Sequence, residues 1–299
     1  MPDLPWPTER AGSATAAALF SHAGSNLCLD FHGDPSHAGV TVLSDGNHHM
    51  ALEEALADFA EQNPAAGEVF YTTTPPRVMV EMAQRGAVQL GNLQLAINPD
   101  LFIGPRAVLQ RLVDEQLMYS HAPFARSMGT VLLVKKGNPK KIVHVSDLLR
   151  DEVRLFLSNP GTESVSYRVY RDCLNGLAER SRIALPFLSH AHSQPDPQKL
   201  IYGERIHHRE APQAVADGRA DVAMVYYHLA LRYQRIFPEL FDWVWPDGAF
   251  NHGGCEYSHY HCGMGVQVNK WGKALYQHLM GAEVAAVYRR HGLETLTAN

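Results

Sequence analysis

Three stretches of this sequence pair an apolar, β-prone run with a polar turn and a helix start. Ser44, Asn47 and His48 follow Val40-Thr41-Val42-Leu43; Thr72, Thr73 and Thr74 follow Val69-Phe70; Ser164 and Ser166 follow the turn at 158–162. Hydroxyls, amides and the free N–H groups of a helix start are all donors. They suit a small oxyanion, which offers only acceptors at neutral pH. Plainer roles stay open: Asn47 and Ser166 can each cap a helix, and the threonine run can simply end a strand. The histidines suggest a second chemistry. There are 17, some of them close together as His48-His49, His207-His208, His190-x-His192 and His259-x-His261. Asp45, His48, His49 and His208 would suit a transition-metal cation, although no HExxH or zinc-finger spacing is present. Asp45 sets the two readings against each other, because a carboxylate repels a doubly charged anion unless it is turned away or protonated.

Signs of covalent chemistry are sparse. No G-x-S-x-G, G-x-x-x-x-G-K-[ST] or G-x-G-x-x-G occurs. The one nucleophile-like cluster is Cys255 with His259 and His261, inside an irregular aromatic stretch at 238–261, where a structural cysteine is the simpler role. The expectation is therefore a binding protein rather than an enzyme, with no cofactor. Cys255 and Cys262 can pair across a loop or stand as two buried thiols, a choice that geometry decides.

The elements that must position these turns alternate along the chain. Leu52, Leu56 and Phe59 make an apolar helix stripe that ends at Asn63-Pro64. Strand 69–72 leads to a helix carrying Val78, Met79 and Met82 that stops at Gly86; strand 101–104 leads to helix 107–117. After the apolar strand Val131-Leu132-Leu133-Val134 come helix 145–149, strand 153–157, helices 167–178 and 211–217, and strand 221–226. Strand 266–268 and helices 270–280 and 282–291 close the chain, and no internal repeat is visible. Such alternation predicts an α/β fold with mostly parallel sheets flanked by helices.

Length and composition allow one large or two medium domains: 299 residues, 45% hydrophobic and 19% charged. A net charge of −5 without a Lys/Arg block excludes a nucleic-acid footprint. No apolar run approaches the roughly 18 residues of a spanning helix. Residues 1–38 read as a loosely ordered arm without the basic start of a signal peptide. As written the chain reads as cytoplasmic, and as periplasmic if a leader has been removed.

In order along the chain, several motifs resemble the extracytoplasmic molybdate-binding proteins of the type II solute-binding class. They are Val40 to Leu43 running through Asn47 into Ala51-Leu52-Glu53-Glu54, Asp100-Leu101-Phe102-Ile103, Pro123-Phe124-Ala125-Arg126 and Lys136-Gly137-Asn138-Pro139. Further along come Asn159-Pro160-Gly161-Thr162, the run from Ala214 to Tyr226, and Tyr288-Arg289-Arg290-His291-Gly292. The resemblance implies a periplasmic-binding-protein type II fold with two lobes joined by crossing strands near 128–134 and 263–268. Lobe 1 would be 39–128 plus 264–299 and lobe 2 would be 129–263, with a small oxyanion such as molybdate, tungstate or sulfate captured in the cleft by lobe closure. It places Asn47 where a ligand serine stands and Tyr226 on a ligand tyrosine. Ser166 falls near a backbone donor, and His208 at a helix start facing the ligand. Thr73 and Thr74 complete the expected ligand set. A monomer that hands its solute to an ABC permease is implied for an exported chain.

Overall fold

The computed structural model describes residues 31–296 except 91, 190–195, 197, 205–206 and 247–257. Residues 1–30 of the expected arm, Cys28, His190, His192 and Cys255 lie outside the described residues. The chain divides into two compact units. A terminal unit comprises described residues 31–126 and 258–296, and a central unit comprises 127–246.

In the terminal unit the strands are β1 (Phe31–His32), β2 (Ala38–Ser44), β3 (Glu68–Thr73), β6 (Leu101–Gly104), β7 (Met118–Ser127), β13 (His259–Gly265) and β14 (Leu293–Thr295). They form one sheet in the order β1-β3-β2-β6-β13-β7-β14, while β4 (Ala87–Leu90) and β5 (Leu93–Ala96) make a separate antiparallel pair. Strands β3, β2 and β6 run parallel, so their residues face helices on both sides, as continuous apolar strands require. On one face Val40, Val42, Tyr71 and Ile103 pack with α1 (His49–Gln62), α8 (Lys270–Leu279) and α9 (Ala282–Arg290). The expected stripe Leu52, Leu56 and Phe59 is buried there. On the other face Leu43, Phe70 and Phe102 pack with residues of α2 (Pro76–Arg85) and α3 (Arg106–Asp114).

The central unit carries β8 (Thr130–Lys135), β9 (Leu155–Leu157), β10 (Leu200–Tyr202), β11 (Val222–Tyr226) and β12 (Phe241–Val244), in sheet order β10-β9-β11-β8-β12. Its helices are α4 (Ser164–Arg180), the short α5 (Pro186–Ser189), α6 (His207–Asp217) and α7 (Tyr227–Ile236).

Several local expectations are corrected. The last long strand lies at His259–Gly265, whereas Val266 and Gln267 form a turn. That strand is rich in His, Gly and Cys, without β-branched residues, and pairing with β6 and β7 on both sides holds it extended. Strand β7 was hidden by Pro123, which sits at a register shift opposite His261, where a missing N–H is tolerated. Phe31 and His32 form a strand paired with β3, ahead of the expected first strand at Val40. Residues 145–149 form a 3-10 turn. Cys262 is a free, buried thiol, so it does not pair with Cys255.

One carboxylate joins the amino ends of these elements. Asp100 is 2% exposed; its Oδ1 accepts the Asn269 N–H at 2.8 Å and its Oδ2 the Thr41 N–H at 3.0 Å. Asn269 in turn caps α8 through the Trp271 and Gly272 N–H groups. A Cβ on Gly272 would lie 2.6 Å from the Asp100 Cβ, so only glycine admits this approach. Asp100→Ala leaves buried donors unpaired. Denaturant unfolding should show a loss of about 2–4 kcal/mol, against less than about 0.5 kcal/mol for an exposed control such as Glu61→Ala.

Candidate functional site

The parallel pairing of β2 with β3 sets Ser44 opposite Thr73, which brings the first two polar turns together at the carboxyl end of the sheet. Ligands of open α/β sheets bind at such ends. The Thr74 N–H donates to the Ser44 carbonyl at 3.0 Å, and the Asp45 N–H to the Ile103 carbonyl at 3.0 Å. Gly46 presses on the second turn, where a Cβ would stand 2.5 Å from the Thr73 carbonyl oxygen. Behind the turn lies a hydrogen-bond chain whose direction is fixed. The Ser44 hydroxyl donates to the Asp45 carbonyl at 3.0 Å, so it accepts from His48 Nε2 at 3.0 Å. His48 Nδ1 then accepts the Tyr288 hydroxyl at 2.9 Å. Ser44 and His48 are fully buried. The hydrogen-bond chain therefore assigns the tautomer of His48.

The expected residues thus sit in distinct roles. Asn47 does not cap α1: its N–H donates to Asp45 Oδ1 at 3.0 Å, while the N-cap position is held by His48 without a side-chain bond. His49 engages the Gly46 carbonyl through Nδ1 at 2.9 Å. The Thr73 hydroxyl is bonded to His32 Nε2 at 3.1 Å, and the His32 ring stacks on Tyr71 at 4.3 Å. Thr74 differs, since its Oγ1 is buried without a partner among the described residues. Asp45 is 3% exposed, and burial pushes its carboxyl up to about 7 against the pull of the Asn47 N–H.

Both ring nitrogens of His48 are committed, and His208 belongs to the central unit. Among the described residues no three His, Cys, Asp or Glu side chains come together as a metal set. The cluster of Cys255 with His259 and His261 is only partly described. Within it, His261 shares a 2.8 Å hydrogen bond with His121 between their Nδ1 atoms, and burial, then His121 and Arg106, hold it down at about 4.

In the central unit the polar residues again lie past strand ends. Ser158 follows β9 and is fully buried, its hydroxyl without a partner among the described residues. Helix α4 starts after Glu163 with no side-chain cap, and Ser166 sits half-buried in its first turn. His207 opens α6. Its N–H donates to Glu163 Oε2 at 2.9 Å, and both ring nitrogens are buried without partners among the described residues. Burial, then the neighbouring His208, lowers the imidazole to about 3. His208 is half-buried and also held at about 3, by burial and then by the charges of Arg209, Arg232 and His228. Tyr226 ends β11 and is 3% exposed, with its ring 5.1 Å from Tyr170 and stacked on His228 at 5.4 Å. Tyr170 in turn lies 5.0 Å from His207. This set therefore links Tyr226, through Tyr170, with His207, a residue that sequence reasoning noted only as half of a pair; Ser158, past the end of the neighbouring strand β9, was passed over. A signal was present: β2 and β9 end alike, Val-Leu-Ser before Asp-Gly and Phe-Leu-Ser before Asn-Pro-Gly.

Both units thus hold hydroxyl groups, neutral imidazoles and uncapped helix starts at the carboxyl ends of their strands. Such an arrangement can bind a small charged solute through fixed dipoles. A search of curated proteins finds no match. Among solved structures, the periplasmic molybdate-binding protein of Azotobacter vinelandii is similar at 14% identity and a TM-score of 0.58, over 87% of this chain and all (100%) of that one. A sulfate-binding protein from Mycobacterium tuberculosis has 14% identity and a TM-score of 0.62, over 87% of this chain and 88% of the other. The substrate-binding domain of a molybdenum ABC transporter from Clostridium difficile has 14% identity and a TM-score of 0.57, over 86% and 98%. The architecture is that of type II periplasmic binding proteins. The family model described as bacterial extracellular solute-binding protein matches residues 40–294, and the chain belongs to that family.

Proposed function

We propose that this chain captures a tetrahedral oxyanion of the size of molybdate, tungstate or sulfate, without chemistry, by closing its two units around it. The observation that carries the reading is the pair of buried hydroxyls without a partner among the described residues, Thr74 Oγ1 and Ser158 Oγ, one in each unit and each just past a strand end. A buried donor left unsatisfied is costly, and an anion that accepts from it removes that cost. Uncapped α1 and α4 add N–H groups with a favourable dipole. Around them the reading sets Asn47, Thr73, Ser166, His208 and Tyr226.

The partner implied is an ABC permease, with the protein acting outside the cytoplasm as a monomer. No helix among the described residues is long and apolar enough to cross a membrane. The alternative, a transition-metal cation on Asp45, His48, His49 and His208, is disfavoured because His48 spends both nitrogens on Ser44 and Tyr288.

Thermal shift and calorimetry against molybdate, tungstate, sulfate, phosphate and Zn²⁺ test the ligand class. Oxyanions should raise Tm in line with their affinity, and Zn²⁺ should not. A Zn²⁺ shift that His48→Ala abolishes, with no response to any oxyanion, would overturn the reading. Thr74→Val and Ser158→Ala each remove a hydroxyl that has no partner among the described residues. Unliganded stability should therefore hold or rise by up to about 1 kcal/mol, while anion affinity falls roughly tenfold or more. Tyr226→Phe should lower affinity by roughly ten- to hundredfold and shift stability by less than about 1 kcal/mol. Unchanged affinity would remove Tyr226 from the site.

A further inference from the structure

Strands β7 and β13 are the segments on which the chain leaves the terminal unit and comes back to it. Their antiparallel pairing is irregular at two points, between Tyr260 and His261 and again between Gly263 and Gly265. Between these points stand His261 on one strand and His121, opposite Gly263, on the other. A Cβ on Gly263 would lie 2.2 Å from the Ser120 carbonyl oxygen and 3.1 Å from the His121 Cα, so glycine lets the strands come this close. The two rings meet edge to face with centroids 4.8 Å apart, and their Nδ1 atoms share the hydrogen bond of 2.8 Å. One Nδ1 must donate and the other accept, so this bond has room for one proton. His261 is 9% exposed; His121 is half-buried, and its Nε2 is buried without a partner among the described residues.

The charged groups that act on the rings are Arg106, from the start of α3, and His259 on β13 itself, which is cationic once protonated. Strand β6, opposite His261, carries no ionisable side chain. Arg126 of β7 and Glu294 of β14 pair with each other. Helix α8 meets β13 at Cys262, on which its Tyr276 acts. Cationic neighbours disfavour a metal ion between the rings, and they disfavour added protons for the same reason.

We propose that His121 and His261 form an acid-sensitive clamp between β7 and β13, closed while at most one ring carries a charge and open once both do. The first added proton goes to an outer Nε2 and leaves the bond intact. The second puts a proton on each Nδ1, and two N–H groups then face each other. Burial, then His121 and Arg106, hold His261 down at about 4. The clamp therefore contributes in full above about pH 6.5, the ordinary value of an unfolded histidine. Its contribution is lost as the pH falls toward 4, because unfolded rings take up protons that the folded pair refuses. This inference does not depend on which solute the protein binds.

Proton NMR titration of the imidazoles, with melting curves from pH 7 to pH 4, tests the clamp. In the wild type the two rings should titrate in separate steps, His121 first and His261 last, at about 4. His121→Asn replaces the ring by an amide, whose N–H serves neutral His261 and whose oxygen, turned over, serves the charged one. His261 should then titrate at least about one unit higher. Between pH 7 and pH 4 the variant's Tm should gain at least about 3 °C on that of the wild type. Histidines elsewhere, His207 and His208 among them, are the same in both proteins and cancel. Should the variant fail to fold, the wild-type titration still decides. The clamp is overturned if both rings titrate together at about 6.5, if the variant leaves the His261 midpoint in place, or if the two sets of melting curves stay parallel.

Discussion

A single run of hydrogen bonds, from the Tyr288 hydroxyl through His48 to Ser44 and on to the Asp45 carbonyl, fixes the first turn in space. Each member has one proton to give and one place to give it, so the run has a single direction. It lies among Phe124, Tyr260 and Tyr288 rings, where water cannot substitute for a lost partner and a half-satisfied network is costly. The start of α1, the bend at Gly46 and the contact with the threonine turn all follow from where this run holds the backbone. The site in the terminal unit is therefore positioned from behind, by groups that never meet solvent.

The central unit uses a different economy of charge. His207 and His208 both stay neutral because burial disfavours the imidazolium, and the nearby Arg209 and Arg232 push His208 further the same way. Glu163, against which the His207 N–H is tied, is itself raised by desolvation. What remains around these helix starts is a set of dipoles and hydroxyl groups in which the imidazoles carry no charge.

Much of this was legible in the sequence because periodicity and turn chemistry agreed. The stripe of Leu52, Leu56 and Phe59 was visible as a helix face, and the apolar run Val131 to Val134 as a buried strand. The type II fold itself followed from the order of motifs. Illegible were the elements whose structure is imposed by neighbours: β13, without β-branched residues, and β7, with a proline at its register shift. At the site, residue types such as Thr74 and Tyr226 could be picked out, but their hydrogen-bond states could not. Thr73 and Thr74 look alike in sequence, yet His32 engages the first, while the second has no partner among the described residues. Asn47 could be read as a helix cap, but the cap position falls to His48, and the Asn47 N–H goes to Asp45 Oδ1.

The terminal unit is assembled from both ends of the chain, and its hydrogen-bond run joins residues 240 positions apart. During synthesis His48 emerges long before Tyr288 does, and the whole central unit is made in between. The central unit has its own sheet and can close as soon as β12 is complete. The first turn must wait, with its buried polar groups still hydrated, until α9 is released. Contacts of such long sequence separation slow folding. The terminal unit is thus the last to be completed, because its sheet needs strands from both sides of the central unit.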